Sequence, residues 1–395
     1  VNELVPPISK SDAQRALVLA DVLGVPFTQV LPAGETLPRD VEVLRDGLIA
    51  LRAPLSHIDC HDGGAPFRFL VGQASVLPSR EVHFTGTPRL GARPHLPLLQ
   101  SLRAAVAGLD LTVGDPWPVT LKMPTAVAPT RFVVEGAQSS QFASSVLLAA
   151  ARVAFRERVS VEVVLEGALA SEGYFALTRS WVERCGSFDV TATASGLVIT
   201  SSGAKPHLPP VPGDWSSIGY LLALSWVSGL PIARVQRHSG HPDELALTHF
   251  ASVGLSLTDG LRVIGTPSGG LTVDASQCPD SIPLLAVLAT KCAAPSRFSD
   301  VSILRLKESD RLAGIVELLA SAGLSATTEG DALTVTPGVA RAFTFDAHDD
   351  HRLAMSAAVL ARLHGVALRL TGGDSVAKSF PDFWRQAAKA GVSAP

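Results

Sequence analysis

The chain has 395 residues, 47% of them apolar and 17% charged, with a formal net charge of −3 at pH 7. That length supports two domains of ordinary size, each with a sizeable core, and the composition excludes a disordered chain. The small negative charge, with no basic face, excludes a general nucleic-acid binder, and no apolar run reaches the roughly 18 residues of a membrane span.

Taken in order, Pro6-Pro7 precede a first predicted helix, Ser11-Asp12-Ala13-Gln14-Arg15, which continues into an apolar body. Five further stretches have the same character, a polar or small-residue start followed by an apolar run. They begin at Asp62, Ser139, Trp215, Asp280 and Asp349. Ser and Asp favour such starts because their oxygens satisfy orphan backbone N–H groups. The bodies are too apolar for surface helices, so burial is predicted. Between helices, runs such as 159–165 and 366–370 read as strands.

A glycine beat runs through the chain. Gly186, Gly254, Gly323 and Gly391 recur about every 68 residues, each after a helix-like stretch and before a short Ser-containing run. Glycine just past a helix takes the left-handed conformation without a Cβ clash. Extended backwards through Gly108 and Asp46-Gly47, the beat predicts six α/β units, each with one buried and one amphipathic helix. Four prolines in Lys205–Asp214 mark a crossing that divides the units three and three.

Helix N-termini bind anions, so six buried helices with polar starts favour a polyanionic ligand, and the cations beside those starts strengthen the reading. Lys10 and Arg15 flank the first start, and Arg68 lies between Phe67 and Phe69, where a cation needs a partner. Arg89 and Arg93 adjoin prolines, and Ser139-Ser140-Gln141 offers a phosphate cradle. Lys307-Glu308-Ser309-Asp310-Arg311 and Asp349-Asp350-His351-Arg352 are dense in charge, and Lys378 opens the last helix. Only seven lysines accompany twenty-six arginines, which makes Lys10, Lys307 and Lys378 conspicuous.

His57, Cys60, His61 and Asp62 are close in sequence but match no zinc spacing, so no metal is expected. His238 and His241 read as a polar loop. Trp181, Trp215, Trp226 and Trp384 read as helix core. The four cysteines form no CxxC pair or secreted-type framework, and the first residues carry no basic-then-apolar leader; a reducing, cytoplasmic setting is expected.

The motifs SKSxxxRAL from Ser9, DCxxxGxxxRF from Asp59, RxxARP from Arg89, SSQF from Ser139, GDxSS from Gly213, RxKESDRL from Arg305, DHRxAM from Asp350 and AKSFPDF from Ala377 stand in one order. This ordered set resembles the EPSP synthase branch of the enolpyruvyl transferase family. The resemblance implies an α/β fold, a two-lobed inside-out α/β barrel of six βαβαββ-type repeats, three per lobe. It implies an N-terminal lobe of residues 8–211, a C-terminal lobe of 1–7 plus 212–395, and a hinge near 6–10 and 205–214 on which ligand would drive closure. The implied reaction is carboxyvinyl transfer from phosphoenolpyruvate to the 5-hydroxyl of shikimate 3-phosphate, in aromatic amino acid biosynthesis. No cofactor is implied. The expected partners are these two anionic substrates, with no nucleic acid or membrane, and a monomer is expected.

Residue by residue, the resemblance implies that Ser11 and Arg15 take the shikimate carboxylate and that Ser139, Ser140 and Ser171 take its phosphate. Lys10, Gln141, Tyr174, Asp280 and Lys307 complete that side. The phosphoenolpyruvate side is implied for Lys10, Gly64, Arg93, Gln141, Arg311, Arg352 and Lys378. Glu308, Asp280 and Lys10 are the implied acid–base groups. The chain departs from the family pattern at Asp62, where Asn is usual, at Ala65 in place of Thr, at Ile8 in place of Gly, and at Ile303 in place of Asn. A transferase for a different cyclic alcohol and a catalytically silent anion-binding paralogue are the alternatives; retained Asp280, Lys307 and Glu308 argue against silence.

Overall fold

The computed structural model describes residues 3–115, 117–137 and 139–392. The chain forms two compact units. One comprises Lys10–Glu35 and Asp40–Val211; the other comprises the residues up to Ser9, Thr36–Arg39 and the chain from Pro212 onward. Ile8 and Ser9, assigned to the N-terminal lobe from sequence, group with the C-terminal unit. Ile8 bridges Gly213, and the Ser9 N–H donates to the Pro212 carbonyl at 2.7 Å.

In chain order the N-terminal unit runs through α1 (Lys10–Leu23), α2 (Arg39–Ala50), β1 (Leu55–Asp59), α3 (Gly64–Ser75), β2 (Glu81–Thr85), α4 (Pro88–Gly91) and α5 (Leu96–Ala105). It continues with β3 (Asp110–Val113), β4 (Val119–Lys122), β5 (Arg131–Glu135), α6 (Ser140–Glu157), β6 (Val161–Glu166), α7 (Glu172–Arg184), β7 (Phe188–Thr193) and β8 (Gly196–Ser201). The C-terminal unit holds α8 (Trp215–Ser228), α9 (Leu245–Ser252), β9 (Leu255–Leu257), β10 (Val263–Gly265), β11 (Thr272–Asp274), α10 (Ile282–Ala289) and β12 (Ser296–Ser299). It ends with α11 (Arg311–Ser321), β13 (Ser325–Glu329), β14 (Ala332–Thr336), β15 (Phe343–Asp346), α12 (His351–His364), β16 (Leu368–Thr371) and α13 (Phe383–Lys389).

Three sheets repeat one topology, β1-β2-β4-β3, β5-β6-β8-β7 and β11-β12-β14-β13. In each, the first pair is parallel and the remaining pairs are antiparallel. A parallel pair needs a crossover, and the crossover is the buried helix α3, α6 or α10. Most residues of these helices are buried, and Ile282-Pro-Leu-Leu-Ala-Val-Leu-Ala289 is apolar and buried throughout. α6 packs against α1, α3 and α7, and α12 packs against α8, α10 and α11, so each unit encloses a helical core.

The other three repeats are reduced. Leu4 bridges Ile232 in parallel, and the Ile232 N–H donates to the Leu261 carbonyl beside the β9–β10 hairpin. The fourth repeat thus takes its first strand from the start of the chain. Among the described residues, the sixth keeps only the parallel pair β15–β16. The first keeps α1 and α2, and β1 of the next repeat follows α2 directly.

This explains where the glycine beat holds. Gly108, Gly186, Gly254, Gly323 and Gly391 follow α5, α7, α9, α11 and α13, all with left-handed φ between 72° and 85°. The first four lead into β3, β7, β9 and β13. Gly47 breaks the pattern: it lies inside α2, where a Cβ would stand 2.4 Å from Leu70 Cδ1. No hairpin follows α2, so no turning glycine is needed, and Gly47 instead lets α2 approach α3. The polar starts also need correction. Gly63, not Asp62, caps α3, and Ser281, not Asp280, precedes α10. Trp181 and Trp215 are core, while Trp226 and Trp384 are only partly buried against it.

Gly186 has φ 72° and open space where a Cβ would go, so Gly186→Ala adds backbone strain alone. We expect a loss of about 1 kcal/mol, read as a lower urea midpoint at unchanged m-value. An unmoved midpoint would show that this turn does not constrain the repeat.

Candidate active site

In the N-terminal unit, neutral groups hold the buried cations. Arg15, one turn into α1, donates from Nε to Thr178 Oγ1 at 2.7 Å, from Nη1 to the Ser11 carbonyl at 2.7 Å and from Nη2 to the Tyr174 carbonyl at 2.8 Å. Its guanidinium lies 5.6 Å from the Phe69 ring centroid. Burial pulls its pKa down to about 10, with Asp12 and Tyr174 offsetting only part of that cost. Asp12 is occupied by Trp181, whose Nε1 donates to Oδ1 at 2.7 Å. Ser171, in left-handed conformation, precedes α7 and places Tyr174 in its first turn.

Arg68 receives the partner its burial demands: Nη1 donates to Gln141 Oε1 at 2.6 Å, Nη2 to the Pro94 carbonyl at 2.9 Å, and Phe142 lies beneath it at 5.1 Å. Gln141 sits in the first turn of α6, behind the cap Ser139 and the buried Ser140; Ser139 Oγ accepts from the Gln141 N–H at 3.3 Å. Arg93 lies over the start of α3. A Cβ on Gly64 would stand 2.2 Å from Arg93 Nη1, so that glycine is the space the guanidinium occupies. A cation over a helix N-terminus opposes the dipole, and the buried Arg93 Nε has no hydrogen-bond partner among the described residues. Both features suit an added anion. Asp62 and Ala65 flank this start, and Lys10 pairs with Asp40 at 3.2 Å.

In the C-terminal unit, carboxylates hold the cations. Arg311, the fully buried first residue of α11, donates from Nε to Asp350 Oδ2 at 2.8 Å, from Nη1 to Asp280 Oδ1 at 2.7 Å and from Nη2 to Glu308 Oε2. Asp350 also accepts from Ser309 Oγ at 2.8 Å and caps α12 through the Arg352 N–H at 2.9 Å. Arg352 donates from Nη1 to the Ser216 carbonyl at 2.8 Å and brings Nη2 to 3.6 Å from Asp280 Oδ2. Its Nε is buried without a hydrogen-bond partner among the described residues. Lys307 Nζ lies 3.8 Å from Asp280, and the buried Lys378 Nζ lies 3.9 Å from Glu308.

Burial pushes the Asp280 carboxyl up, but Arg311, then Lys307 and Arg352, overcome it and hold the group well below the usual carboxylate range. Burial likewise lowers Arg311, and Asp350, Glu308 and Asp280 more than restore it, so the guanidinium stays charged. Asp280, Lys307, Glu308, Arg311, Arg352 and Lys378 therefore form one cluster, drawn from four segments between residues 280 and 378. In the N-terminal unit, Asp12 and Arg15 of α1 meet α7, Lys10 meets Asp40 of α2, and Arg93 and Gly64 meet each other.

Sequence reasoning assigned no role to Asp350, Thr178 or Asp40, whose signal lies only in their neighbours. Asp350 stands within DHRxAM, and Thr178 is a hydroxyl on an otherwise apolar helix face. The suspected metal group disperses: Cys60 is buried with its thiol pushed up by desolvation, His57 stacks on His83 at 4.7 Å, and His61 faces Asp59 at 3.4 Å. Among the described residues no set of three or more His, Cys, Asp or Glu is arranged to hold a metal. His241, expected in a polar loop, is buried, and its Nδ1 accepts from the Asp243 N–H at 3.1 Å. No helix among the described residues is long and apolar enough to cross a membrane.

The profile of the family described as EPSP synthase (3-phosphoshikimate 1-carboxyvinyltransferase) matches residues 37–387. A 3-phosphoshikimate 1-carboxyvinyltransferase of Methanoculleus marisnigri is 31% identical, covering 96% of this chain and 94% of the relative. One from Methanopyrus kandleri is 30% identical, covering 98% and 95%. The EPSP synthase structure from Acinetobacter baumannii superposes with a TM-score of 0.72 at 19% identity, covering 99% of this chain and 96% of that one. The enolpyruvyl transferase NikO from Streptomyces tendae gives 0.64 at 14% identity, covering 100% and 96%. At those identities the two structures establish the fold.

The depressed Asp280 pKa fixes a pH dependence. A carboxylate depressed on folding stabilises above its unfolded pKa of about 3.9, and that stability is lost as pH falls through the folded value. The stability difference between the wild type and Asp280→Asn should stay constant from pH 7 to 5 and shrink only below about pH 4. Urea titrations across this range test it; a difference that shrinks between pH 7 and 5 would place the Asp280 titration there instead.

Proposed function

The chain belongs to the EPSP synthase family, and from that premise we propose how its own side chains carry the reaction. The reaction transfers the carboxyvinyl group of phosphoenolpyruvate to the 5-hydroxyl of shikimate 3-phosphate and releases phosphate. The hydroxyl oxygen adds to C2 of phosphoenolpyruvate, its proton leaves to a base, and C3 takes a proton from an acid. The tetrahedral adduct then loses phosphate from C2 and a proton from C3, which restores the double bond.

We assign the acceptor carboxylate to Arg15 with Ser11, and its phosphate to Ser139, Ser140 and Ser171, with Tyr174 and Lys307 beside the acceptor. We assign phosphoenolpyruvate to Lys10, Arg93 at Gly64, Gln141, Arg311, Arg352 and Lys378. The observation that carries this reading is the buried cation cluster. Arg311, Arg352 and Lys378 are each at most 1% exposed, and they converge on two carboxylates, Asp280 and Glu308, suited to proton transfer. Cations fixed in a water-poor site stabilise developing phosphate charge without reorganising. The Arg93 and Arg352 Nε atoms supply donors that have no hydrogen-bond partner among the described residues.

Glu308, held between Arg311 and Lys378, is assigned to proton transfer at C3. Asp280 is assigned to the target hydroxyl. Its place among three cations keeps it ionised, and a bound anion that draws those cations away raises its basicity toward what a proton acceptor needs. Lys10, at the start of α1, assists as an acid–base group.

Phosphate release from phosphoenolpyruvate tests the reading directly. Turnover is expected with shikimate 3-phosphate and not with other cyclic alcohols; faster turnover with another alcohol would overturn the acceptor assignment. Asp62, beside the start of α3, places a carboxylate where the family has an amide. Asp62→Asn is therefore expected to lower the KM for phosphoenolpyruvate several-fold and to tighten inhibition by glyphosate in parallel. Unchanged constants would show that Asp62 does not face the anion.

A further inference from the structure

The acceptor carboxylate was assigned to Arg15, and what aims that guanidinium is not part of the ligand-facing set. A guanidinium has five N–H donors, one on Nε and two on each terminal nitrogen. The protein takes one from Nε, one from Nη1 and one from Nη2. The two that remain lie one on each terminal nitrogen, the pair that meets both oxygens of a carboxylate end on.

Two of the three fixed bonds go to backbone carbonyls, which any sequence could supply. The third goes to Thr178 Oγ1, a side chain on α7 that is fully buried. Thr178 Oγ1 also lies 2.7 Å from Ser144 Oγ on α6, itself fully buried, and 3.0 Å from the Tyr174 carbonyl. Neither hydroxyl caps a helix. Two hydroxyls between packed helices are costly unless each bond is made, and apolar side chains would fill the same space. Their common product is a fixed Nε, locked among α1, α6 and α7 and laid against Phe69 of α3.

We propose that Thr178, backed by Ser144, is a positioning residue that presents Arg15 end on to the acceptor carboxylate and so makes recognition specific for a planar, charged carboxylate. The proposal rests on the acceptor reading above. Without Thr178, Nε loses its acceptor and turns toward the ligand, the guanidinium rotates, and a bidentate contact becomes a single one. The lowered pKa of Arg15 accords with this: burial costs its charge more than Asp12 and Tyr174 return, and a bound anion would supply the rest.

The test uses the full-length enzyme and three proteins, wild type, Thr178→Val and Thr178→Ser, with steady-state constants for each substrate and calorimetric binding of shikimate 3-phosphate. Thr178→Val is expected to raise the acceptor KM about tenfold while the phosphoenolpyruvate KM stays within about twofold. Thr178→Ser, which keeps the hydroxyl, is expected to restore the acceptor constant. The same acceptor lacking its carboxylate should bind wild type and Thr178→Val alike. An unchanged acceptor constant in Thr178→Val, or parallel changes in both substrates that Ser does not rescue, overturns the positioning role. Wild-type turnover separates the two readings: its absence with shikimate 3-phosphate refutes the acceptor assignment and this inference together, whereas wild-type turnover with an unaltered Val variant refutes this inference alone.

Discussion

One fully buried guanidinium, Arg311, faces three carboxylates, and the C-terminal unit is arranged around that fact. The carboxylates come from the start of α10, the turn before α11 and the cap of α12. The bonds of Arg311 therefore tie the segments that follow the paired strands β11 and β12 to a third segment, the cap of α12, which follows β15 of a separate sheet. A buried ionic cluster of this kind is no obvious source of stability, because desolvation offsets much of the attraction and apolar replacements are often as stable. Removing one partner is a different matter, since it strands a charge. The cluster is best understood as a device that keeps acid–base groups and anion-binding groups in register while water is excluded.

The two units solve the same problem in opposite ways. In the N-terminal unit, Arg15 and Arg68 hydrogen-bond to carbonyls, a hydroxyl and an amide, and Asp12 offsets only part of the cost of burying the Arg15 charge. In the C-terminal unit the holders are Asp280, Glu308 and Asp350, which offset the charge until a stronger anion competes. Two of these holders are also the groups assigned to move protons. The division follows from chemistry: a binding site for a stable carboxylate needs orientation alone, whereas a site for a reacting phosphate needs charge together with groups that exchange protons.

Much of this was legible in the residues. The apolar bodies of α3, α6, α8, α10 and α12 announced burial, and the left-handed glycines announced the turns into β3, β7, β9 and β13. Where the beat failed, at Gly47, the cause was an absent hairpin, and one glycine cannot reveal whether it turns a chain or admits a neighbour. The cap positions failed for a related reason. Asp62 and Asp280 look like caps, but a carboxylate near a helix start can serve a distant cation instead, and Asp280 does. The partners Asp350, Thr178 and Asp40 were silent because their importance lies in what they touch across helices, which no spacing in the chain records.

The planar fork of Arg311, and not its charge alone, holds the three carboxylates in place. Steady-state kinetics of Arg311→Lys test this most directly, since lysine keeps the charge and loses the fork. In that variant kcat/KM for phosphoenolpyruvate is expected to fall at least about 100-fold, because a point charge cannot orient Asp280, Glu308 and Asp350 together. Turnover close to wild type in that variant would contradict it, and would show that positive charge at this position is sufficient.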